Sequence, residues 1–456
     1  QAQALGQPMA TAPSPPYGTF DASKQTGGNS AFLTATLIVA DVVGAGVLAM
    51  GAAVAKQGWL LGALLIVVLL AINTHTAILL WRVHQVYPQT KCYSDLAAAS
   101  FQSASQPQKD AVQVLVAAAQ YGSIFFSLGL YSLSIGQGLG MLFYEVHWCL
   151  PAFTLLGCLL LLPLNFSIRN LKSFGWAPHV NVVCTLGAVL TPILWMMSHG
   201  SEVTRLETSH VVAVEKLSAS NLFSSVSTIA FALQGHTIIV EILAEMADTS
   251  EFPKAYIGLS APFQAIIFLG VGLSVYYFRG SESSEMLLTE VPFGSCNRLA
   301  ALCMLTHMAI TYIINSVVLG RRFEDSLRPC VGHLAWPIAI LLIVLSSYVT
   351  AQIIPFFEDM VSVLGTSLTP LLCLVIPICL LLRCVFDGRC TLGKLEASVL
   401  IFELFFAIVL IIQGTASTLQ HILAQWHTYG WPFDCHCQDI WNTCQCSAGR
   451  MPNCLS

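Results

Sequence analysis

A carboxylate lies close to a glycine-rich run within an apolar segment near the start of the chain. In ADVVGAGVLAMG (residues 40–51), Asp41 precedes the run Gly44, Ala45 and Gly46. Glycine lets a chain leave the helical conformation and lets ligand atoms approach the backbone. Unwinding would free N–H groups at the positive end of the next half-helix, where a carboxylate is stabilised. Close helix packing by small residues is the alternative explanation of the glycines.

A second apolar segment is interrupted in a comparable way. In TIAFALQGHTIIVEILAEM (residues 228–246), the polar or flexible residues Gln234, Gly235 and His236 follow shortly after Phe231 and interrupt the apolar run. Imidazole titrates in the physiological range, so His236 could carry a proton or bond to a substrate. A packing role is the alternative. We predict that these four residues, with Gly44, Ala45 and Gly46, contact the substrate.

Three further side chains are candidates for ion or proton coupling. Asp41 and Glu241 are carboxylates at membrane depth, where ionisable groups often mark proton relays. The alternative for Asp41 is contact with cytosolic water or a hydrogen bond to backbone, and the alternative for Glu241 is structural pairing. Thr311 lies one helical turn before Asn315 in another apolar run, and its hydroxyl could bind a cation that prefers oxygen ligands. Threonine in a membrane helix also commonly bonds to a carbonyl or a neighbouring helix.

The elements that must position these residues are membrane-spanning helices. Of the 456 residues, 55% are hydrophobic and 9% charged, whereas soluble domains carry about 25% charged residues. The apolar residues form runs of about 20 or more, enough to cross a hydrocarbon core of about 30 Å. The sequence therefore predicts an all-α polytopic membrane protein with eleven transmembrane helices: 31–55, 58–81, 111–141, 149–168, 176–197, 219–247, 257–279, 297–320, 335–354, 359–382 and 395–423.

Ten of these spans divide into two halves of nearly equal length. Spans 1–5 cover about residues 30–197 and spans 6–10 about residues 221–382, and each half opens with an interrupted helix. Because five is odd, the second half must enter the membrane upside down. This indicates a 5+5 inverted repeat with broken helices 1 and 6, plus an extra C-terminal helix. Transporters of this kind bind their substrate where the broken helices meet.

Four stretches, in order along the chain, resemble the amino acid/auxin permease family. The resemblance covers about residues 29–420 and implies a LeuT-type inverted-repeat fold. It also implies ion-coupled carriage of amino acids or related small molecules. The stretches are VVGAGVLAMGAAVAKQGWLLG (42–62), YSDLAAASF (93–101), FALQGHTIIVEILAEMADTSEFPKAYIG (231–258) and AQIIPFFEDMVSVLGTSLTPLLCLVIP (351–377).

The chain departs from that family pattern at two places. Gly51 stands where the family usually has proline, which affects the geometry of the half-helix. Ala40 and Asp41 stand where sodium-coupled members are expected to carry asparagine. A proton is therefore favoured over sodium as the coupling ion, and no cofactor or bound metal is predicted.

These observations predict a secondary active transporter, a symporter of small amino acids that works by alternating access. The alternatives are a sodium-coupled transporter and an amino-acid sensor that binds without transport. We expect a small-molecule substrate, surrounding lipid, a monomeric transport unit and no nucleic-acid partner, because no basic run is present. No constellation typical of an intramembrane enzyme occurs in the spans, so no enzymatic activity is predicted.

Loop charges predict the orientation. About two thirds of the 19 Lys and Arg residues fall on the side of the N-terminus, which places that terminus in the cytosol. An odd number of spans then places the C-terminus outside the cell or in a lumen, at a plasma, vacuolar or lysosomal membrane. The predicted organisation is a disordered tail (1–28), a transmembrane amino acid transporter domain (29–423) and a Cys-rich tail (424–456), whose cysteines could form disulfides, be palmitoylated or bind metal.

Overall fold

The protein is built almost entirely from helices. The computed structural model describes residues 28–146, 148–169, 176–204, 209–354, 357–429 and 432–433. Within these ranges the only β-type pairing is an isolated bridge between Asn29 and Met246. Nearly all of the predicted N-terminal tail and the Cys-rich part of the C-terminal tail lie outside the described residues.

Seventeen α-helices occur in the described residues. In chain order they are α1 (Ala31–Val42), α2 (Met50–Ala55), α3 (Trp59–Val86), α4 (Tyr93–Ser100), α5 (Gln106–Leu142), α6 (Leu150–Ser167), α7 (Ala177–Thr204), α8 (Ala219–Ala232), α9 (His236–Glu245), α10 (Ala261–Arg279), α11 (Ser295–Val331), α12 (Ala335–Ile353), α13 (Phe357–Thr366), α14 (Leu368–Pro370), α15 (Ile376–Phe386), α16 (Lys394–Val409) and α17 (Thr415–Tyr429). Segments of π-helix lead into α10, α15 and α17.

Most of these helices are long and apolar enough to cross a membrane. The described chain contains nine such helical segments, or ten if the bent pair formed by α1 and the segment up to α2 counts as one span. One of the nine, Ser295–Ile353, consists of α11 and α12, which are separated by the turn at Gly332. The prediction of an all-α protein with many membrane-spanning helices is therefore confirmed.

Burial differs strongly between the spans. In the apolar window of Ala219–Glu245, 78% of the residues are buried, against 22% for Lys394–Ala424. Helices α8 and α9 are therefore central, whereas α16 and α17 lie at the periphery with exposed side chains such as Ile401 and Phe405. Lipid satisfies no backbone hydrogen bond, so the centre is where interrupted helices are tolerated.

The first break separates α1 from α2. Helix α1 ends at Val42, Gly44 has φ −124° and ψ −140°, and a 3₁₀ turn runs over Ala45–Ala49 before α2. The axes before and after the break differ in direction by 52°. The bend follows from the sequence because neither Gly44 nor Gly46 contributes a side chain that would favour continuing the helix.

The second break separates α8 from α9. Helix α8 ends at Ala232, and α9 begins at His236 after Gly235, which has φ −149° and ψ 0°. The two breaks approach each other, since a Cβ atom at Gly235 would lie 2.7 Å from Val42 Cγ2. Two backbone hydrogen bonds join the chain before α1 to the end of α9. Asn29 N–H donates to Glu245 O at 2.8 Å, and Ala247 N–H donates to Asn29 O at 3.0 Å.

Candidate functional site

A cavity lies where the two breaks meet. Four parts of the chain form its wall: the first break, helix α5, the second break and helix α11. The lining residues are Asp41, Val42, Gly44, Ala45, Gly46, Ser123, Ile124, Ser127, Tyr131, Phe231, Gln234, Thr237 and Asn315.

The first break contributes free backbone groups to this wall. Ala45 and Gly46 open the 3₁₀ turn, so their N–H groups have no partner within it. Gly44 N–H, which would bond to Ala40 O in a continuous helix, donates instead to Val42 O at 2.9 Å. The break therefore presents N–H donors at the start of one half-helix. Near the end of the other half-helix it leaves Ala40 O without its usual helical donor.

Asp41 lines the same cavity. Its side chain is partly buried, and its carboxylate has no hydrogen-bond partner among the described residues. Asp41 Oδ2 lies 3.9 Å from the position that a Cβ atom at Gly235 would take, so the carboxylate also borders the second break. An unpaired carboxylate in a partly buried wall is suited to bind an ammonium group or a proton.

The second break contributes Phe231 and Gln234 to the wall. Thr369 Oγ1 donates to Gln234 Oε1 at 2.5 Å, and Gln234 Nε2 donates to Ser123 Oγ at 3.5 Å. These bonds hold the Gln234 side chain between α14 and α5. Phe231 is 7% exposed and supplies an apolar surface. Both residues were predicted from the sequence to contact substrate, and the structure brings them to the cavity.

A polar stripe on α5 forms a wall that the sequence analysis missed. Ser123, Ser127 and Tyr131 are spaced by four residues, so they lie on one helix face. That regular spacing of hydroxyl groups within an apolar span was the signal that could have identified them. Asn315 of α11 completes the polar lining, and its Nδ2 donates to Thr311 O at 3.0 Å.

Two of the predicted residues turn their side chains away from the cavity. His236 Nε2 lies 3.0 Å from Thr76 Oγ1 on α3, and its Nδ1 has no partner among the described residues. Glu241 Oε1 accepts a bond of 2.9 Å from Gln120 Nε2 on α5, whereas its Oε2 is unpaired within the described chain. The structure therefore does not bring either side chain to the site, and their functional roles stay predictions.

The predicted coupling residue Thr311 lies beside the first break rather than in the cavity wall. Its Oγ1 accepts a bond of 3.2 Å from Asn181 Nδ2. Close by, His307 contacts Thr185 Oγ1 through Nδ1 at 2.7 Å. A Cβ atom at Gly44 would lie 3.5 Å from His307 Nε2. Asn181 and His307 were not identified from the sequence, because isolated polar residues in an apolar run carry no spacing signal.

The lining as a whole suits a small zwitterion. Free N–H groups at a helix start stabilise a carboxylate, and Asp41 offers a negative partner to an ammonium group. The hydroxyl groups of α5 and the ring of Phe231 are available to contact the rest of the ligand. The wall contains no lysine or arginine among the described residues, which disfavours a ligand with additional negative charge.

The chain is similar to known proteins over most of its length. A family model described as "Transmembrane amino acid transporter protein" matches residues 27–422. "Amino acid transporter AVT3B" of Arabidopsis thaliana is 24% identical over 418 residues, which cover 87% of this chain and 95% of that protein. "Amino acid transporter AVT1D" of the same plant is 23% identical over 400 residues, which cover 84% and 68%.

Two solved transporters share the fold. Mhp1, a nucleobase-cation-symport-1 family transporter in a closed conformation with bromovinylhydantoin bound, aligns with a TM-score of 0.52 at 13% identity. The alignment covers 88% of this chain and 93% of that one. MhsT in complex with L-phenylalanine aligns with a TM-score of 0.50 at 13% identity, covering 86% and 98%. At this identity the similarity establishes the fold only.

Proposed function

The chain belongs to the transmembrane amino acid transporter protein family, and from this premise we propose that it moves small amino acids across a membrane by alternating access. The predicted resemblance to this family is thereby confirmed, and the relatives are named as transporters rather than enzymes. The observation that carries the proposal is the cavity between the two breaks, whose wall includes both the start of a half-helix with free N–H groups and an unpaired carboxylate.

The proposed binding mode pairs each end of a zwitterion with one feature of the first break. The substrate carboxylate accepts hydrogen bonds from the N–H groups of Ala45 and Gly46, helped by the positive end of the half-helix. The ammonium group contacts Asp41. The side chain of the substrate points toward Phe231 and the hydroxyl groups of α5. Small and polar amino acids therefore fit this wall better than acidic ones.

We propose that protons drive the transport and that Asp41 carries the coupling proton. A carboxylate that faces the cavity without a protein partner can exchange a proton with each side of the membrane in turn. When Asp41 is protonated, its carbonyl oxygen can still accept a hydrogen bond from the ammonium group of the substrate, so proton and substrate can be bound together. The proton and the amino acid would then move in the same cycle, which is the behaviour of a symporter.

The remaining architecture is proposed on the same basis. Counting α11 and α12 as separate crossings and each broken pair as one gives eleven spans, consistent with a 5+5 inverted repeat and one additional helix. The loop charges support a cytosolic N-terminus and an extracellular or luminal C-terminus. The proposed location is the plasma membrane or a vacuolar or lysosomal membrane, with a monomer as the transport unit.

Uptake into proteoliposomes tests this function. The purified full-length protein is reconstituted, a pH gradient is imposed without sodium, and labelled amino acids are screened. We expect uptake of small neutral amino acids that collapses when the gradient is dissipated. Asp41→Asn should abolish the stimulation by the gradient, whereas the control Asp110→Asn, which changes an exposed carboxylate near the start of α5, should not.

Three outcomes would contradict parts of the proposal. Binding of amino acids without any uptake would identify a sensor. Uptake that requires sodium would remove the proton role of Asp41. Neither binding nor uptake of any amino acid would overturn the proposed function altogether.

A further inference from the structure

One cysteine at the start of α6 takes part in a disulfide bond. Cys149 is disulfide-bonded, and only 9% of the residue is exposed. Its backbone is fixed at the start of the helix, because Cys149 O accepts hydrogen bonds from Ala152 N–H at 3.0 Å and from Phe153 N–H at 3.2 Å. The partner sulfur atom must therefore come to this point, in the connection between α5 and α6.

The partner follows by elimination among the cysteines of the chain. The sequence contains 16 cysteines, and the ten others within the described residues are free thiols. A disulfide bond within the chain therefore leaves only the cysteines of the Cys-rich tail, which lie outside the described residues. These are Cys435, Cys437, Cys444, Cys446 and Cys454.

A second observation places the start of the tail beside Cys149. The ring centroid of Phe433 lies 5.8 Å from that of Tyr348, near the end of α12. Tyr348 Oη in turn donates to Pro151 O, in the first turn of α6, at 3.5 Å. Pro151 is only two residues beyond Cys149. The described chain after α17 therefore already reaches the part of the bundle that holds the bonded cysteine.

Distance along the chain favours the first two cysteines of the tail. Cys435 and Cys437 follow Phe433 by two and four residues, so an extended chain carries them up to about 7 and 14 Å from it. A disulfide bond needs Cα atoms about 4.4–6.8 Å apart. Cys444 lies eleven residues beyond Phe433, and the entropic cost of closing a loop grows with its length. The pair Cys435 and Cys437 is therefore the favoured source of the partner.

We infer that Cys149 forms a disulfide bond with Cys435 or Cys437 of the same chain, and that this bond anchors the Cys-rich tail to the start of α6. As the bond forms, each thiol loses one proton. Two electrons pass to the disulfide of a thiol oxidoreductase of the secretory pathway, which becomes a dithiol. Palmitoylation and metal binding, the other uses considered for these cysteines, are then excluded at the bonded residue.

The bond also bears on the orientation of the chain. Disulfide bonds form and persist in oxidising compartments, such as the extracellular space and the lumen of the secretory pathway. The start of α6 and the tail would then lie together on that side of the membrane. This supports the orientation proposed from loop charges, and it does so independently of any transport activity.

Cleavage of the chain at one added site tests the inference. The recognition sequence of a site-specific protease is inserted between Leu392 and Gly393, in the connection between α15 and α16. The fragment after the cut then contains only the five tail cysteines. The full-length protein is made in eukaryotic cells, cleaved, blocked with N-ethylmaleimide and denatured in SDS. We expect the two fragments to migrate together at the size of one chain and to separate after reduction.

Two cysteine variants show whether Cys149 makes the link. Cys149→Ser should separate the fragments without any reductant. Cys296→Ser is the matched control and should leave them linked, because Cys296 is a partly buried free thiol at the start of α11. The same end of α11 contacts the connection between α5 and α6, since Arg298 pairs with Glu145 at 3.0 Å.

Two variants of the tail locate the partner. Cys435→Ser/Cys437→Ser should separate the fragments without reductant, whereas Cys444→Ser/Cys446→Ser/Cys454→Ser should leave them linked. Mass spectrometry of unreduced peptides from the wild type identifies the partner of Cys149 without any substitution, so the inference stays testable if a variant fails to fold.

Three results would overturn the inference. Wild-type fragments that separate without reductant would show that no bond joins the tail to the rest of the chain. Linked material at the size of two chains would identify a bond between copies instead. A peptide that joins Cys149 to Cys444 or to a later cysteine would show that the assigned partner is wrong.

Discussion

Gly46 of the first break lies directly against Ala232, the last residue of α8. A Cβ atom at Gly46 would lie 2.4 Å from Ala232 Cα and 2.6 Å from its Cβ. Both contacts are far below van der Waals distance, and the first involves backbone that cannot move without shifting the helix end. The two broken segments therefore meet at a contact that only glycine allows at position 46.

Replacing Gly46 should separate the two breaks. We expect Gly46→Ala to lower stability by about 1–3 kcal/mol, as overpacking does in a closely packed interior, and to abolish uptake. The melting temperature and proteoliposome uptake measure the two effects. Gly122→Ala is the control, because a Cβ atom at Gly122 on α5 has no neighbour within 4 Å among the described residues. If Gly46→Ala and Gly122→Ala had the same melting temperature and the same uptake, close packing at Gly46 would not be what holds the two breaks together.

An ion pair joins three helices at the far end of α2. Lys56 Nζ contacts Glu358 of α13, and both bond to Ser224 Oγ of α8 at 2.8 Å. A double-mutant cycle with Lys56→Met and Glu358→Gln should give a coupling energy of about 0.5–3 kcal/mol in thermal or denaturant unfolding. The exposed pair Lys254–Glu251, at 3.8 Å, is the control and should give less than about 1 kcal/mol. A coupling energy of zero between Lys56 and Glu358 would show that the ion pair does not stabilise the packing of these helices.

Glu241 and Gln120 form the next testable pair. Gln120 Nε2 donates to Glu241 Oε1 at 2.9 Å and to Thr237 O at 2.7 Å, so it links α5 to α9. Glu241→Gln removes the charge and keeps an acceptor oxygen. If Glu241 takes part in coupling, as predicted from the sequence, this variant should fold normally and lose stimulation of uptake by a pH gradient. Glu245→Gln, at the exposed end of α9, should leave the stimulation intact, and unchanged coupling in Glu241→Gln would assign Glu241 a structural role.

The peripheral helix α16 is joined to α3 by a carboxylate–imidazole pair. His75 Nδ1 lies 2.8 Å from Glu403 Oε1, and Glu403 is 1% exposed. Removing His75 leaves the buried carboxylate of Glu403 without its partner, which is destabilising, whereas replacing both partners with apolar residues is often neutral. We therefore expect His75→Leu to lower the melting temperature and the double variant His75→Leu/Glu403→Leu to restore it. A double variant less stable than the single one would contradict this explanation.

The break positions could be predicted from the sequence because they depend on local chemistry. Gly44 and Gly46 weaken a helix wherever they occur, and Gln234 and Gly235 interrupt an apolar run that lipid would otherwise favour. The predicted residues Asp41, Ala45 and Phe231 also line the cavity, since they lie at or within one turn of a break. Local spacing was therefore enough to identify both central segments of the site.

The directions of individual side chains could not be predicted in this way. His236 and Glu241 belong to the second broken segment, yet they face α3 and α5 rather than the cavity. Asn181 and His307 come from spans in which no break was predicted, and only packing brings them to the first break.

The sequence by itself determined that the chain is a bundle of membrane helices, which family it resembles and where two of its spans are interrupted. Apolar length, glycine and proximity along the chain decide these features. The tertiary structure decided which helix faces form the cavity and which donors meet which acceptors. In lipid, both the buried and the outward faces of a helix are apolar, so no amphipathic pattern indicates the inward direction, and only packing against neighbouring helices sets it.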